Sequence, residues 1–396
     1  MILDVHLSSR KSAMSLQKPK LLFLVSEDWY FVSHRLPLAV AAMNAGFDVA
    51  VATRVRDAGE TIKTAGIRLI PMAFNRSGIN PLEALKTLSY LRALYRSESP
   101  DIVHHVALKP IIYGSIAATA AGIHNRVNAL MGLGYVFGSG DLKARLLRAP
   151  TKMLLGFALK SPHTRVIVQN SDDLKLLVSG GLARARDMRL VRGSGVDPSQ
   201  FTPSDATGTG PPVVVLPARM LRDKGVLEFV EAARLLKARN VAARFVLCGV
   251  PDPYNPASLT EGDLAELTAD GSVEYWGWQK DMMAVWKAAQ IVCLPSYHEG
   301  LPKALLEAAA CSLPLVATDV PGCREIVRRD VNGWLVSKGD SFALAVALEE
   351  AIARKDLRVR YGAQSRALVE REFSLQSVIE ATLAVYRELL NFRADP

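Results

Sequence analysis

The strongest constraint on this chain is a rhythm. Short, unbroken apolar runs alternate with amphipathic stretches of helical period along most of its length. Lys20-Leu-Leu-Phe-Leu-Val-Ser26 is the first such run. A run with no polar alternation suits a parallel strand buried on both faces. Further candidate strands follow at Asp48–Thr53, Ile67–Pro71, Asp101–His105, Asn125–Met131 and Val166–Gln169. Amphipathic segments ending at Gly46, at Gly59–Ala65 and at Pro81–Glu98 separate the first four. The same pattern resumes at Val213–Leu216, Arg244–Gly249, Val273–Trp276, Ile291–Leu294 and Leu313–Ala317. Strand and helix in strict alternation predict an α/β fold of doubly wound parallel sheets.

At 396 residues the chain has room for two domains. Pro203 to Pro212 is rich in Pro, Gly, Ser and Thr, which places a hinge there. The expected division is a tail at 1–17, a first domain at 18–197, a linker at 198–212, a second domain at 213–376 and a final helix at 377–396. That helix, near Ser377–Leu390, is expected to pack back on the first domain. A hydrophobic content of 49% with 22% charged residues excludes a disordered chain. No run of 18 apolar residues predicts a membrane-spanning helix. Residues 1–17 lack the apolar core of a signal peptide. Cys248, Cys293, Cys311 and Cys323 have no metal-type spacing and read as reduced core residues of a cytoplasmic protein.

The net charge of +9 is lopsided: residues 1–200 carry +12 and residues 201–396 carry −3. A basic first half suggests an anionic partner, and no nucleic-acid-binding motif accompanies the charge. Between Asp141 and Lys160, the cations Lys143, Arg145, Arg148, Lys152 and Lys160 interleave with leucines, Met153 and Phe157. A basic helix with an apolar stripe fits an anionic membrane surface, though it also fits a helix packed on its own sheet.

Chemistry concentrates in Ser296-Tyr-His-Glu-Gly-Leu-Pro-Lys-Ala-Leu-Leu-Glu307. This stretch joins an apolar strand to a helix, which is where such sheets bind ligands. Pro302 suits a first helical turn, so the helix is expected from about Leu301, with its dipole end and free N–H groups around Gly300 and Leu301 open to a phosphate. Glu299 precedes that end, and Glu307 lies about 12 Å farther along at 1.5 Å per residue. Two carboxylates that far apart cannot share a proton. They can reach two ends of an extended ligand.

The block Pro-Ser-x-x-Glu-Gly-x-Pro-x-x-x-Leu-Glu-Ala, followed by Val-Pro-Gly-Cys-Arg-Glu325, resembles the donor site of the retaining glycosyltransferases of family 4. The resemblance covers about residues 20–390 and implies the GT-B architecture, two Rossmann-like domains facing across a cleft. It implies an acceptor-binding first domain and a nucleotide-sugar-binding second domain. It sets Arg219 and Lys224, five residues apart in a strand-to-helix loop, against the donor diphosphate, a geometry in which two cations straddle a pyrophosphate. Glu299 would serve the donor sugar and Glu307 the ribose, with Lys303 in the same block. Nucleobase contacts are expected near Trp278 and Gln279, close to the Gly249 loop. A histidine at the end of the Asp101–His105 strand, His104 or His105, would meet the transferred sugar, and His105 is the one assigned.

For the acceptor, the loop Glu27–Arg35 offers His34 and Arg35; the alternative is that Trp29 and Phe31 only pack and Arg35 makes a surface ion pair. This loop has no glycine pair, although many GT-B enzymes carry one there. Lys109, after a strand and before Pro110, and Gly134, in the glycine-rich loop Gly132–Phe137, complete the acceptor set. No Asp-x-Asp pair exists to hold a metal, and no cofactor is expected, since the nucleotide sugar is a substrate. The expected activity is transfer of an N-acetylhexosamine from a UDP-sugar to a lipid-linked, undecaprenyl diphosphate-type acceptor at the inner face of the membrane. A GDP-sugar donor, a nucleotide-sugar epimerase of the same architecture and a non-catalytic sugar-nucleotide scaffold are the competing readings.

Overall fold

The structure, a computed structural model, describes residues 18–73, 81–132, 142–203 and 210–391. Two parallel sheets carry it. The first contains β1 (Lys20–Glu27), β2 (Asp48–Arg54), β3 (Arg68–Pro71), β4 (Ile102–Val106), β5 (Arg126–Ala129), β6 (Thr164–Val168) and β7 (Met188–Leu190), in the order β3-β2-β1-β4-β5-β6-β7. The second contains β8 (Val213–Pro217), β9 (Arg244–Cys248), β10 (Glu274–Gly277), β11 (Ile291–Leu294), β12 (Leu315–Thr318) and β13 (Gly333–Val336), in the order β10-β9-β8-β11-β12-β13.

Every residue of β4, β5, β6, β8, β11 and β12 is buried. Helices cover both faces of each sheet, so polar alternation has no solvent face to serve. This is the physical origin of the unbroken apolar runs. Each sheet reverses its winding once, between β1 and β4 and between β8 and β11. At such a switch point the helices leave to opposite sides and a crevice opens at the carboxyl ends of the strands.

The chain passes between the sheets twice, and the two passes run side by side. Val196 N donates to Phe373 O at 3.1 Å, and Leu375 N donates to Val196 O at 2.8 Å. Of the segment 198–212 read as a linker, residues 204–209 lie outside the described residues. The last helix, Leu375–Asn391, buries Val378, Leu383, Val385, Tyr386 and Leu389 in the same core as Leu21, Phe23 and Ile102 of the first sheet. Tyr386 Oη meets His104 Nδ1 at 2.6 Å, and Glu388 pairs with Arg165 and Arg189.

Two local readings change. Glu27–Arg35 is not a loop: β1 runs to Glu27, and a helix occupies Asp28–His34 directly. Buried Asp28, in the first turn of that helix, accepts the Trp29 N–H at 2.7 Å and the N–H groups of Arg56 and Ala58 at 2.6 and 3.0 Å, which ties the helix start to the turn after β2. The helix after Glu299 begins at Lys303, not near Leu301, because Pro302 takes an extended ψ of 113° and acts as the N-cap. The four cysteines are buried and unpaired, and burial raises each thiol pKa.

Candidate functional site

The site forms at the switch point of the second sheet, from the loops that follow β8 and β11. The β8 loop carries Arg219 and ends in a short 3₁₀ turn, Arg222–Lys224, closed by Gly225 at φ 73°. A Cβ on Gly225 would lie 2.1 Å from Pro295 O, so only glycine lets the two loops stack. They are also laced together. Tyr297 N and Ser296 Oγ both donate to Asp223 O, at 2.9 and 3.2 Å.

This stacking brings Lys224 Nζ to 2.6 Å from Glu299 Oε1, with 18% and 11% of the two side chains exposed. Lys303 Nζ lies 3.1 Å from Glu307 Oε1 on the adjoining helix. The first helical bond there is Leu305 N to Pro302 O, so the N–H groups of Lys303 and Ala304 precede it. The loop and the helix start that follows it thus carry two ammonium groups, each paired with a carboxylate, and a helix terminus of the kind that suits an anion. Arg219 lies on the same loop, but its guanidinium is held by Asp252 Oδ2 at 2.5 Å. Asp252 is a site residue the sequence reading missed. Its signal was available: an acidic residue in the turn-rich Gly249–Ser258 loop, beside a cation expected to bind phosphate.

The first half closes over this turn. Asn170 Nδ2 donates to Gly300 O at 2.9 Å, and Ser171 donates through its N–H and Oγ to Glu325 Oε1. Leu301 packs on Gly193. Arg324 reaches Asp172 at 3.0 Å. His34 stands on the opposite wall, stacked on Tyr30 with ring centres 4.2 Å apart. Burial, then the charges of Arg35 and Lys303, push its pKa down to about 3, which keeps it neutral and places it within the field of the Lys303 ammonium. Arg35 is 4% exposed and sets NH2 2.7 Å from Met131 Sδ. It is therefore not the surface ion pair that was the alternative reading.

Other assigned residues fall elsewhere. His104 and His105 lie inside β4, not at its end, and point to opposite faces of the sheet. His105 is fully buried, with Nδ1 2.8 Å from Asn128 Oδ1 and Nε2 3.0 Å from Tyr95 Oη. Both nitrogens are engaged within the first half, so the structure does not bring His105 to Glu299. The strand runs on to Val106, one residue past the expected end, and that shift buries it. Lys109 sits in the first turn of the helix Leu108–Ala121, where burial lowers its pKa. Trp278 is exposed, and Gln279 Nε2 donates to Trp276 O at 2.7 Å. Gly249 is required by contact: a Cβ there would meet Ala218 O at 1.9 Å, directly behind Arg219. Gly134 lies outside the described residues.

Residues 20–171 match a family model described as glycosyl transferase 4-like, and residues 211–354 match one described as glycosyl transferases group 1. Together the two cover about three quarters of the chain. Among curated relatives, an N,N'-diacetylbacillosaminyl-diphospho-undecaprenol alpha-1,3-N-acetylgalactosaminyltransferase of Campylobacter jejuni is 28% identical over 82% of this chain and 88% of its own. A UDP-Gal:alpha-D-GlcNAc-diphosphoundecaprenol alpha-1,3-galactosyltransferase of Escherichia coli is 26% identical over 71% and 74%. Among solved structures, Anabaena HepE in complex with UDP superposes with a TM-score of 0.74 at 17% identity, covering 93% of this chain and all of that one.

Proposed function

This chain belongs to the family 4 glycosyltransferases of GT-B architecture, two Rossmann-like domains across a cleft, and from that premise we propose that it transfers an N-acetylhexosamine from a UDP-sugar to a lipid-linked, undecaprenyl diphosphate-type acceptor in bacterial surface-polysaccharide assembly. The observation that carries the reading is the Lys224–Glu299 pair beside the N-terminus of the Lys303–Ala310 helix. The names of the Campylobacter and Escherichia relatives support the acceptor class, and the first also supports the sugar class. The UDP complex of HepE supports the base.

In this reading a donor β-phosphate takes Lys224 from Glu299. The ammonium, the Lys303 and Ala304 N–H groups and Arg219 stabilise the charge that grows on the leaving phosphate. Glu299, once released, accepts from hydroxyls of the transferred sugar and balances an oxocarbenium-like transition state. Glu307 accepts from the ribose diol. The bond from the anomeric carbon to phosphate oxygen breaks while that carbon bonds the acceptor oxygen on the same face. The acceptor proton goes to the departing phosphate, so configuration is retained without a protein base. His34, Arg35 and Lys109 are assigned to the acceptor side.

Nucleotide release, measured across UDP- and GDP-sugars with and without lipid-linked acceptors, tests the reading. UDP should appear only when an N-acetylhexosamine donor and a diphospholipid acceptor are both present. Release from GDP-sugars would reassign the base. Interconversion of UDP-sugars without acceptor would make the protein an epimerase, and binding without turnover a scaffold.

We place the protein peripherally on the inner face of the cell membrane. Among the described residues no helix is long and apolar enough to cross a membrane. The helix Leu142–Lys160 carries two apolar faces. Leu155, Ala158 and Leu159 are buried against the first sheet, whereas Met153, Leu154 and Phe157 are 71%, 37% and 49% exposed beside exposed Lys152 and Lys160. The packed-helix and membrane-contact readings thus describe different faces of one helix. Replacing Met153 and Phe157 together by serine should lower partitioning onto phosphatidylglycerol vesicles by about tenfold or more, given the apolar area lost. Unchanged sedimentation with vesicles would remove the membrane from the account.

A further inference from the structure

The turn after β2 in the first half and the Gly249–Ser258 loop in the second meet at one point on the edge of the cleft. The Arg56 guanidinium carbon lies 4.5 Å from the centre of the Tyr254 ring, and that of Arg54 lies 5.8 Å away. Both distances are within the range of attraction between a cation and an aromatic face.

Each partner is held from behind. Glu27, 3% exposed, pairs through Oε2 with Arg56 Nε at 3.0 Å and through Oε1 with Arg54 NH1 at 4.0 Å. Fully buried Asp28 accepts the N–H groups of Arg56 and Ala58 at 2.6 and 3.0 Å. Both arginines thus stand beside buried carboxylates, with their side chains 35% and 29% exposed on the side that Tyr254 approaches. On the other side, Asp252 Oδ1 accepts the Tyr254 N–H at 3.3 Å while Oδ2 holds Arg219 at 2.5 Å. One carboxylate thus sets both the ring that reaches across the cleft and the cation beside the donor site.

We propose that Tyr254 is a positioning residue: its ring docks on Arg54 and Arg56 to hold the two halves closed, and through Asp252 this contact sets the orientation of Arg219 toward the donor diphosphate. The first part rests on the contact alone. The second rests on the glycosyltransferase reading of Arg219. Exchange of Arg219 from Asp252 to a phosphate would change the loop that carries Tyr254, so donor binding and closure are linked in both directions.

The test uses two readouts so that the parts fail separately. Tyr254 is 52% exposed, so its replacement leaves the core intact. The first readout is the distance between spin labels on L85C and V359C, one in each half, chosen because both positions are exposed and the native cysteines are buried. Tyr254→Ala should enrich the open population about three- to tenfold without ligand, and Tyr254→Phe, which keeps the aromatic face, should match the unsubstituted chain. The second readout is the Kd for UDP, which should rise several-fold in Tyr254→Ala and not in Tyr254→Phe. Arg56→Ala should reproduce Tyr254→Ala, and the double variant should be no worse than either single one. Label distances identical in all variants overturn the closing contact, as does a Tyr254→Phe variant that behaves like Tyr254→Ala. Altered distances with an unchanged UDP Kd overturn the link to Arg219. Absence of UDP binding by the unsubstituted chain would count against the donor assignment and leave the distance test standing.

Discussion

Lys224→Ala and Glu299→Gln are both expected to abolish sugar transfer, yet to move nucleotide affinity in opposite directions. The reason is the 2.6 Å pair they form. The carboxylate pairs with the ammonium that a phosphate would use. Removing Lys224 deletes a donor aimed at the charge that grows on the leaving group, a loss of about 10²–10³ in kcat for a preorganised contact. It should also weaken UDP binding. Replacing Glu299 by glutamine keeps the shape and removes the competing charge, so UDP should bind as tightly or more tightly. Transfer should still fall by a similar factor, because the group that balances the developing positive charge is gone. Calorimetric titration with UDP beside turnover measurements decides it. Equal weakening of UDP binding in the two variants would mean that the pair only shapes the loop. Full activity in either would remove that residue from the chemistry.

The same pair shows what could be read without coordinates. That Lys224 and Glu299 share a site was legible through the family resemblance, which set both against the donor. The strand pattern alone put each in a strand-to-helix loop and did not say that the two loops are neighbours. The partner of Arg219 was not legible. Asp252 reaches it from a loop 33 residues away, and no local period or spacing encodes that approach. The histidines illustrate a different limit. Asp101-Ile-Val-His-His marks a strand but not its last residue, and one position decides whether a side chain lines a cleft or a core. His105 went to the core, where Asn128 and Tyr95 complete its hydrogen bonds. The helix at Asp28–His34 was hidden for a third reason. Its aromatic residues read as a binding loop, but the chain passes directly from β1 into a helix that buries Asp28 and Phe31, and Asp28 finds its partners on a distant turn, at Arg56 and Ala58.

Gly300 was read as a helix tip open to phosphate; the helix starts three residues later, at Lys303, and the structure gives Gly300 a different duty from which a large effect follows. Gly300→Ala should cut transfer about a hundredfold while leaving UDP affinity within a few-fold. A Cβ at this position would lie 2.3 Å from Met131 O and 2.8 Å from Gln169 Oε1, both in the first half. Gly132 and Gly322 press on the same turn: a Cβ on Gly132 would lie 3.3 Å from the Gly300 Cα, and one on Gly322 would lie 2.5 Å from Gly300 O. Gly300 and Gly132 thus let backbone touch backbone where the halves meet, while Gly322 lets the same turn pack within the second half. Backbone cannot swing aside as a side chain does, so the added methyl must push the halves apart by about 1 Å, and a misplacement of that size costs about 10²-fold when two substrates are aligned across a cleft. The donor groups, Lys224, Glu307 and the helix N-terminus, all belong to the second half and keep their mutual geometry, so nucleotide binding survives. Gly322→Ala is the contrasting variant. Its clash with Gly300 O lies within the second half, so it should lower thermal stability and UDP affinity together. If Gly300→Ala turned over at the normal rate, the contact with Met131 would be absent from the working conformation, and closure over the Gly300 turn would have no part in transfer.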